Sequence, residues 1–190
     1  MRGFWIDEKI DNNVLVKKNF IDFIIIKILK LLEVKIIRNA KSIIVLTYNS
    51  KNYIRRKFKR SKNIFVIPCS VDYSKFNYSN YKFKTKKIKK DLNFKKNSKI
   101  LIYIGSYGKY YMINEMIILY SYLKKKFKSL NFLIVSNQKE KFINHLASNK
   151  NCNDIKIINA DWSQIPKYLS ISDISLCLIK PTFAKIASSP

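Results

Sequence analysis

Short apolar runs alternate along this chain with longer stretches whose apolar residues recur every three or four positions, and that alternation leaves few folds open. From Ser42 to Thr47 the residues are Ser-Ile-Ile-Val-Leu-Thr. A helical stretch follows through Tyr53 to Phe58, which Asn49-Ser50 can cap, and a second apolar run from Ile64 to Ile67 stops at Pro68. The pattern restarts at Lys99 to Ile104, a predicted strand, and continues with a helix from about Met112. Strands are then expected at Asn131 to Ser136, Ile155 to Ile158 and Ile174 to Ile179, with helical segments at Phe142 to Ala147 and Ile165 to Leu169. Runs this short suit strands buried on both faces, so the expected class is α/β with parallel sheets and crossover helices.

Between the two patterned parts, lysine, asparagine and aromatic residues mix without period. That stretch, residues 76–98, reads as a linker or crossover separating two α/β pieces, 1–75 and 99–190. Upstream, Phe20, Ile24, Ile28, Leu31, Leu32 and Ile36 recur at helical spacing and predict a half-buried helix from Phe20 to Ile37. Asp22, Lys27, Lys30, Glu33 and Lys35 interrupt it well before membrane-spanning length. A basic amphipathic helix lying on an anionic bilayer is the other reading.

A net charge of +26 over 190 residues first suggests a polyanionic partner. Its carriers argue otherwise. Arginine, the bidentate reader of phosphate and bases, occurs only at Arg2, Arg38, Arg55, Arg56 and Arg60, and the other cations are lysines. Abundant Lys, Asn, Ile, Tyr and Phe beside scarce Gly and Pro is the drift expected of a very AT-rich genome. No specific nucleic acid is therefore expected. Cys69, Cys152 and Cys177 show neither disulfide framework nor metal spacing, so no metal site is indicated and a reduced cytosolic setting fits. The N-terminus lacks the basic-then-apolar order of a signal peptide.

Three stretches could hold chemistry. Of three glycines, Gly105 and Gly108 fall within four residues at a strand-to-helix junction, where backbone amides can approach an anion. That points to phosphate, although a tight turn without ligand has the same composition. The second stretch, Lys180 to Pro190, follows a predicted buried strand and offers Lys185, Ser188 and Ser189. The third is the N-terminal Arg2-Gly3-Phe4-Trp5-Ile6-Asp7-Glu8, which reads as a binding loop or an exposed start. His145 stands alone without a nucleophile or acid around it, and no residue is assigned a catalytic role.

Taken in order, these stretches resemble the retaining GT-B glycosyltransferases of family 4, group 1 type, which includes bacterial polysaccharide and lipid-linked sugar transferases. The resemblance rests on the Arg2 to Glu8 loop, the strand ending at Thr47, Ile67-Pro68-Cys69-Ser70-Val71-Asp72 with Phe76, the turn Gly105-Ser106-Tyr107-Gly108, and Lys185-Ile186-Ala187-Ser188-Ser189-Pro190. It implies two Rossmann-like domains, both incomplete in this chain, with a nucleotide-diphosphate sugar as donor substrate and no other cofactor. Donor binding then falls to Gly105, Ser106, Gly108, Lys109, Lys185, Ser188 and Ser189, and the acceptor-side loop to Arg2, Gly3, Asp7 and Glu8. Many relatives carry an arginine where this chain has Ser106 and a lysine several residues on, so here the diphosphate falls first to the backbone amides of the turn. The acceptor implied is a saccharide or a lipid-linked one, with an anionic membrane surface as a further partner. The implied location is cytoplasmic and peripheral on the inner face of the membrane. The fragment by itself is expected to be inactive. A basic nucleic-acid-binding protein, or a non-catalytic or pseudogene fragment, remains the alternative.

Overall fold

The computed structural model describes residues 4–108, 110–147 and 154–187. They form two compact units, one of residues 1–70 with 180–190, the other of residues 71–179. This division differs from the one expected at 75 and 99.

The first unit contains α1 (Trp5–Asp11), α2 (Phe20–Asn39), β1 (Ile43–Val45), α3 (Tyr48–Phe58), β2 (Ile64–Val66) and a 3-10 turn at Phe183–Ala187. Helix α2 starts where the Asn19 side chain accepts from the amides of Ile21 and Asp22. Its far end is closed by Arg60, whose guanidinium donates to the carbonyls of Ile37 at 2.7 Å and of Arg38 and Lys41 at 3.1 Å, and also to that of Ala40. One forked side chain thus satisfies carbonyls that a helix end leaves without partners. Strands β1 and β2 pair in parallel, Ile43 opposite Ile64, with α3 crossing between them. Thr47, rather than Asn49-Ser50, caps α3, its side chain accepting from the Ser50 amide at 3.1 Å.

The core of this unit gathers Phe4, Ile37, Val45, Ile54, Phe58 and Ile64. The opposite face of the sheet is open: Ile44 is 50% and Phe65 52% exposed, so β1 is not buried on both faces as expected. Nor is α2 half-buried along its apolar face, since Phe20, Ile24, Ile28, Leu31, Leu32 and Ile36 are all exposed and only Ile37 is fully buried. The N-terminal stretch is helix from Trp5 onward, not loop.

The second unit is a four-stranded parallel sheet in the order β5-β4-β3-β6, from β3 (Lys99–Ile104), β4 (Leu130–Val135), β5 (Ile155–Ile158) and β6 (Ile174–Ser175). Both faces are covered, as parallel sheets require. Alternation along β3 sends Leu101 and Tyr103 to one side, with α5 (Ile113–Lys126) and α6 (Lys139–Ala147). Ile100 and Ile102 go to the other, where α4 (Thr85–Asp91) and α7 (Ile165–Leu169) pack. Residues 76–98 are therefore not a plain linker, because Ile88 and Leu92 are buried in this second core and Phe76 and Phe94 pack against it. Strand β6 is shorter than the predicted Ile174 to Ile179. Beyond Leu176, which still donates to Ile102, the chain turns to the segment before α5, where Leu178 accepts from the Met112 amide and Tyr111 bridges Ile179 antiparallel.

Candidate functional site

Strands β4 and β5 lie to one side of β3 and β6 to the other, so the direction of winding reverses at β3. In open α/β sheets, ligands bind outside the carboxyl ends of the strands at such a reversal. The turn Gly105 to Gly108 leaves β3 at that end, and Gly105 still donates to the Val135 carbonyl at 3.1 Å.

The two glycines of this turn serve different ends. A Cβ on Gly105 would stand 2.6 Å from the hydroxyl of Tyr103 and 2.9 Å from its ring, closer than side chains tolerate. Tyr103 is 1% exposed and its hydroxyl donates to the Ser106 carbonyl at 2.8 Å, supporting the turn from below. Burial first, then Tyr111 and Cys177, hold its phenol well above the ordinary range, so it is a neutral donor. Gly105 is thus required by the packing beneath it. Gly108 is different, for a Cβ there would meet only the Tyr111 ring at 3.9 Å and otherwise open space. Neither glycine has positive φ.

The amide of Tyr107 donates to Gln138 Oε1 at 2.7 Å. Its ring stands edge-on to Phe142, centroids 5.1 Å apart, and its hydroxyl lies 3.1 Å from His145 Nδ1. His145 Nε2 in turn lies 2.7 Å from Asn114 Oδ1 in the first turn of α5. The amides of Ser106 and Gly108 have no acceptor among the described residues. Two backbone donors, an exposed Ser106 side chain and an uncrowded Gly108 suit an anion's oxygens.

The remaining predicted residues divide between groups. Lys185 belongs to the first unit, not the second as expected, and its ammonium lies 3.4 Å from the Glu8 carboxylate. Asp7 pairs with Lys30 at 2.6 Å. Burial works against the charge of Lys30, but the hydrogen bonds it donates to Asp7 and Glu33 outweigh it and raise its pKa. Arg2, Gly3, Lys109, Ser188 and Ser189 lie outside the described residues. Among the described residues, no three His, Cys, Asp or Glu side chains group at metal-binding spacing.

The profile of the family described as glycosyl transferases group 1 matches residues 84–180, just over half of the chain. The chain belongs to that family. Its fold is that of the GT-B glycosyltransferases. A glycosyltransferase from Rickettsia africae is similar in structure, with TM-score 0.55 and 22% identity over 71% of this chain and 37% of that one. WaaG, a glycosyltransferase involved in lipopolysaccharide biosynthesis, gives TM-score 0.60 at 12% identity over 75% of this chain and 39% of its own. Anabaena HepE, solved in complex with UDP and glucose, gives 0.55 at 14% over 74% and 38%. The chain thus spans less than two-fifths of the length of these structures. No curated protein sequence matches it.

In this group 1 family member, the two close glycines mark the turn, but nothing local in the sequence marks the residues that support it. Tyr103, Gln138 and His145 carry no motif of their own. The one available signal was the polar exit of β4, Ser136-Asn137-Gln138, at the same sheet edge.

Proposed function

We propose that this chain forms the donor side of a glycosyltransferase that moves a sugar from a nucleotide-diphosphate donor to a saccharide or lipid-linked acceptor in bacterial polysaccharide or glycolipid synthesis. The observation that carries the reading is the turn at the carboxyl end of β3, where the winding reverses and the amides of Ser106 and Gly108 have no acceptor among the described residues. Family membership and the presence of UDP and glucose in the HepE structure support it. In this reading the amides receive the donor diphosphate and stabilise the charge that gathers on it as the sugar departs. The exposed Ser106 hydroxyl adds a further donor. Helix α5 already carries Glu115 in its first turn, so the amides matter here more than the helix dipole.

The acceptor assignment for Asp7 and Glu8 rests on resemblance, and each carboxylate already faces a lysine. The proposed location is the cytoplasm, peripheral on the inner face of the membrane, supported by the exposed apolar face of α2 with Lys27 and Arg38 on the same helix. No helix among the described residues is long and apolar enough to cross a membrane. Because the chain spans less than two-fifths of its structural relatives, the proposal assigns it donor binding and expects no sugar transfer from the 190 residues alone.

The test is titration of the chain with UDP, GDP and ADP by calorimetry in near-physiological salt. One of the three should bind, and Gly108→Val should weaken it at least tenfold, about 1.4 kcal/mol, with the circular dichroism spectrum unchanged. Failure of all three to bind, or an unaltered affinity in the folded variant, would remove the reading.

A further inference from the structure

Resting on the donor-site reading above, we infer that Gln138 is a positioning residue of the phosphate-binding turn, one that uses up the Tyr107 amide so that the Ser106 and Gly108 amides are held for the ligand. The geometry points to this role because Gln138 is itself anchored. Its amide donates to Ser136 Oγ at 3.1 Å, Ser136 is 4% exposed, and the Ser136 amide is held by the Ile158 carbonyl at 3.0 Å. The Gln138 carbonyl accepts from Lys141 at 3.0 Å as α6 begins. With both backbone groups held, the side chain starts from a fixed root, and its Oε1 lies 2.7 Å from the Tyr107 amide.

Tyr107 is gripped at its other end as well. The ring rests edge-on against Phe142, and the hydroxyl reaches His145, which faces Asn114 on α5. The turn that leaves β3 is therefore tied to the turn that leaves β4. An isolated four-residue turn with three open amides would sample several orientations, and a ligand would have to order it at a cost in affinity. Occupying the middle amide with a neutral carbonyl oxygen leaves its neighbours to point elsewhere together. It also brings no negative charge to a site meant for an anion, as a carboxylate in the same place would.

The experiment uses the 190-residue chain with UDP and uridine as probes, and compares Gln138→Ala with Asn137→Ala, its exposed neighbour. In hydrogen exchange, the Tyr107 amide should be protected in the parent, lose protection in Gln138→Ala, and regain it in Gln138→Glu, which keeps an oxygen at the same reach. UDP affinity should fall about five- to tenfold in Gln138→Ala, as expected for losing the order supplied by one hydrogen bond. Uridine affinity should stay at the parent value, and Asn137→Ala should match the parent throughout. A merely structural glutamine would lower UDP and uridine affinity together, and that result would overturn the inference. So would a Gln138→Ala chain with an exposed Tyr107 amide and unchanged UDP affinity, while leaving the donor reading intact. A parent chain that binds none of UDP, GDP and ADP would instead overturn both, and one that prefers GDP or ADP is tested with that nucleotide and its nucleoside in place of UDP and uridine.

Discussion

At Gly105 a single hydrogen atom in place of a side chain lets Tyr103 lie beneath the turn with its hydroxyl bonded to the Ser106 carbonyl. Gly105→Ala should therefore destabilise the second unit by about 1–3 kcal/mol, the range for overpacking a filled site. Gly108→Ala should change stability little, because only the Tyr111 ring lies within contact distance at 3.9 Å. Urea denaturation of the two variants measures the contrast, and equal losses would mean that Tyr103 does not set the requirement. Asp173 offers a second test at this scale. Its carboxylate accepts from the Lys99 ammonium at 2.8 Å and the Ile100 amide at 2.9 Å. Burial opposes its charge, but these bonds win and hold its pKa below the ordinary value. A depressed carboxyl contributes stability above the unfolded value of about 4 and loses it as pH falls through the folded value. Asp173→Asn should thus lower the urea midpoint at pH 7, and the gap from the parent should shrink at pH 3. A gap that widens in acid would contradict the assignment.

At the scale of elements, α2 is the feature that its own sequence period described incompletely. Residues spaced three and four apart placed Phe20, Ile24, Ile28, Leu31, Leu32 and Ile36 on one face, and the helix is there from Phe20 to Asn39. The face is exposed, because α2 meets its unit through other positions, Ile37, Val34 and the Lys30 pair with Asp7. Periodicity states which residues share a face but not whether anything covers it. A basic helix with such a face should partition to an anionic surface. Flotation of the chain with vesicles containing phosphatidylglycerol is expected, with loss of most of the bound fraction in an Ile24→Asp, Ile28→Asp variant and weak flotation on phosphatidylcholine alone. Equal flotation of parent and variant would assign any membrane contact to the lysines elsewhere.

At the scale of the whole molecule, and among the described residues, the core of the first unit and the two buried clusters of the second have no member in common, and Ile88 and Leu92 of the segment 76–98 are buried in one of the latter. Ile88→Ala should cost about 2–5 kcal/mol as a large-to-small change in a packed core. Hydrogen exchange should show the loss in β3 and β4 and not in β1 and β2. Unchanged protection in β3 would return 76–98 to the status of a linker. What could be read from sequence alone was local: the strands at Lys99–Ile104 and Ile155–Ile158 and the helix at Ile165–Leu169 stand where the apolar runs placed them, because an apolar run between turn signals carries its own address. The turn at Gly105 was legible for the same reason, and so was the α/β class. Tertiary structure alone decided that Ile88 and Leu92 close the second core and that residues 180–187 fold with the first unit. It alone placed Tyr103 under Gly105 and brought Gln138 and His145 to Tyr107 from more than thirty positions away. These partners meet through the winding of a parallel sheet, in which crossover helices bring the ends of separate strands to one edge, and no local pattern records which side chains arrive there.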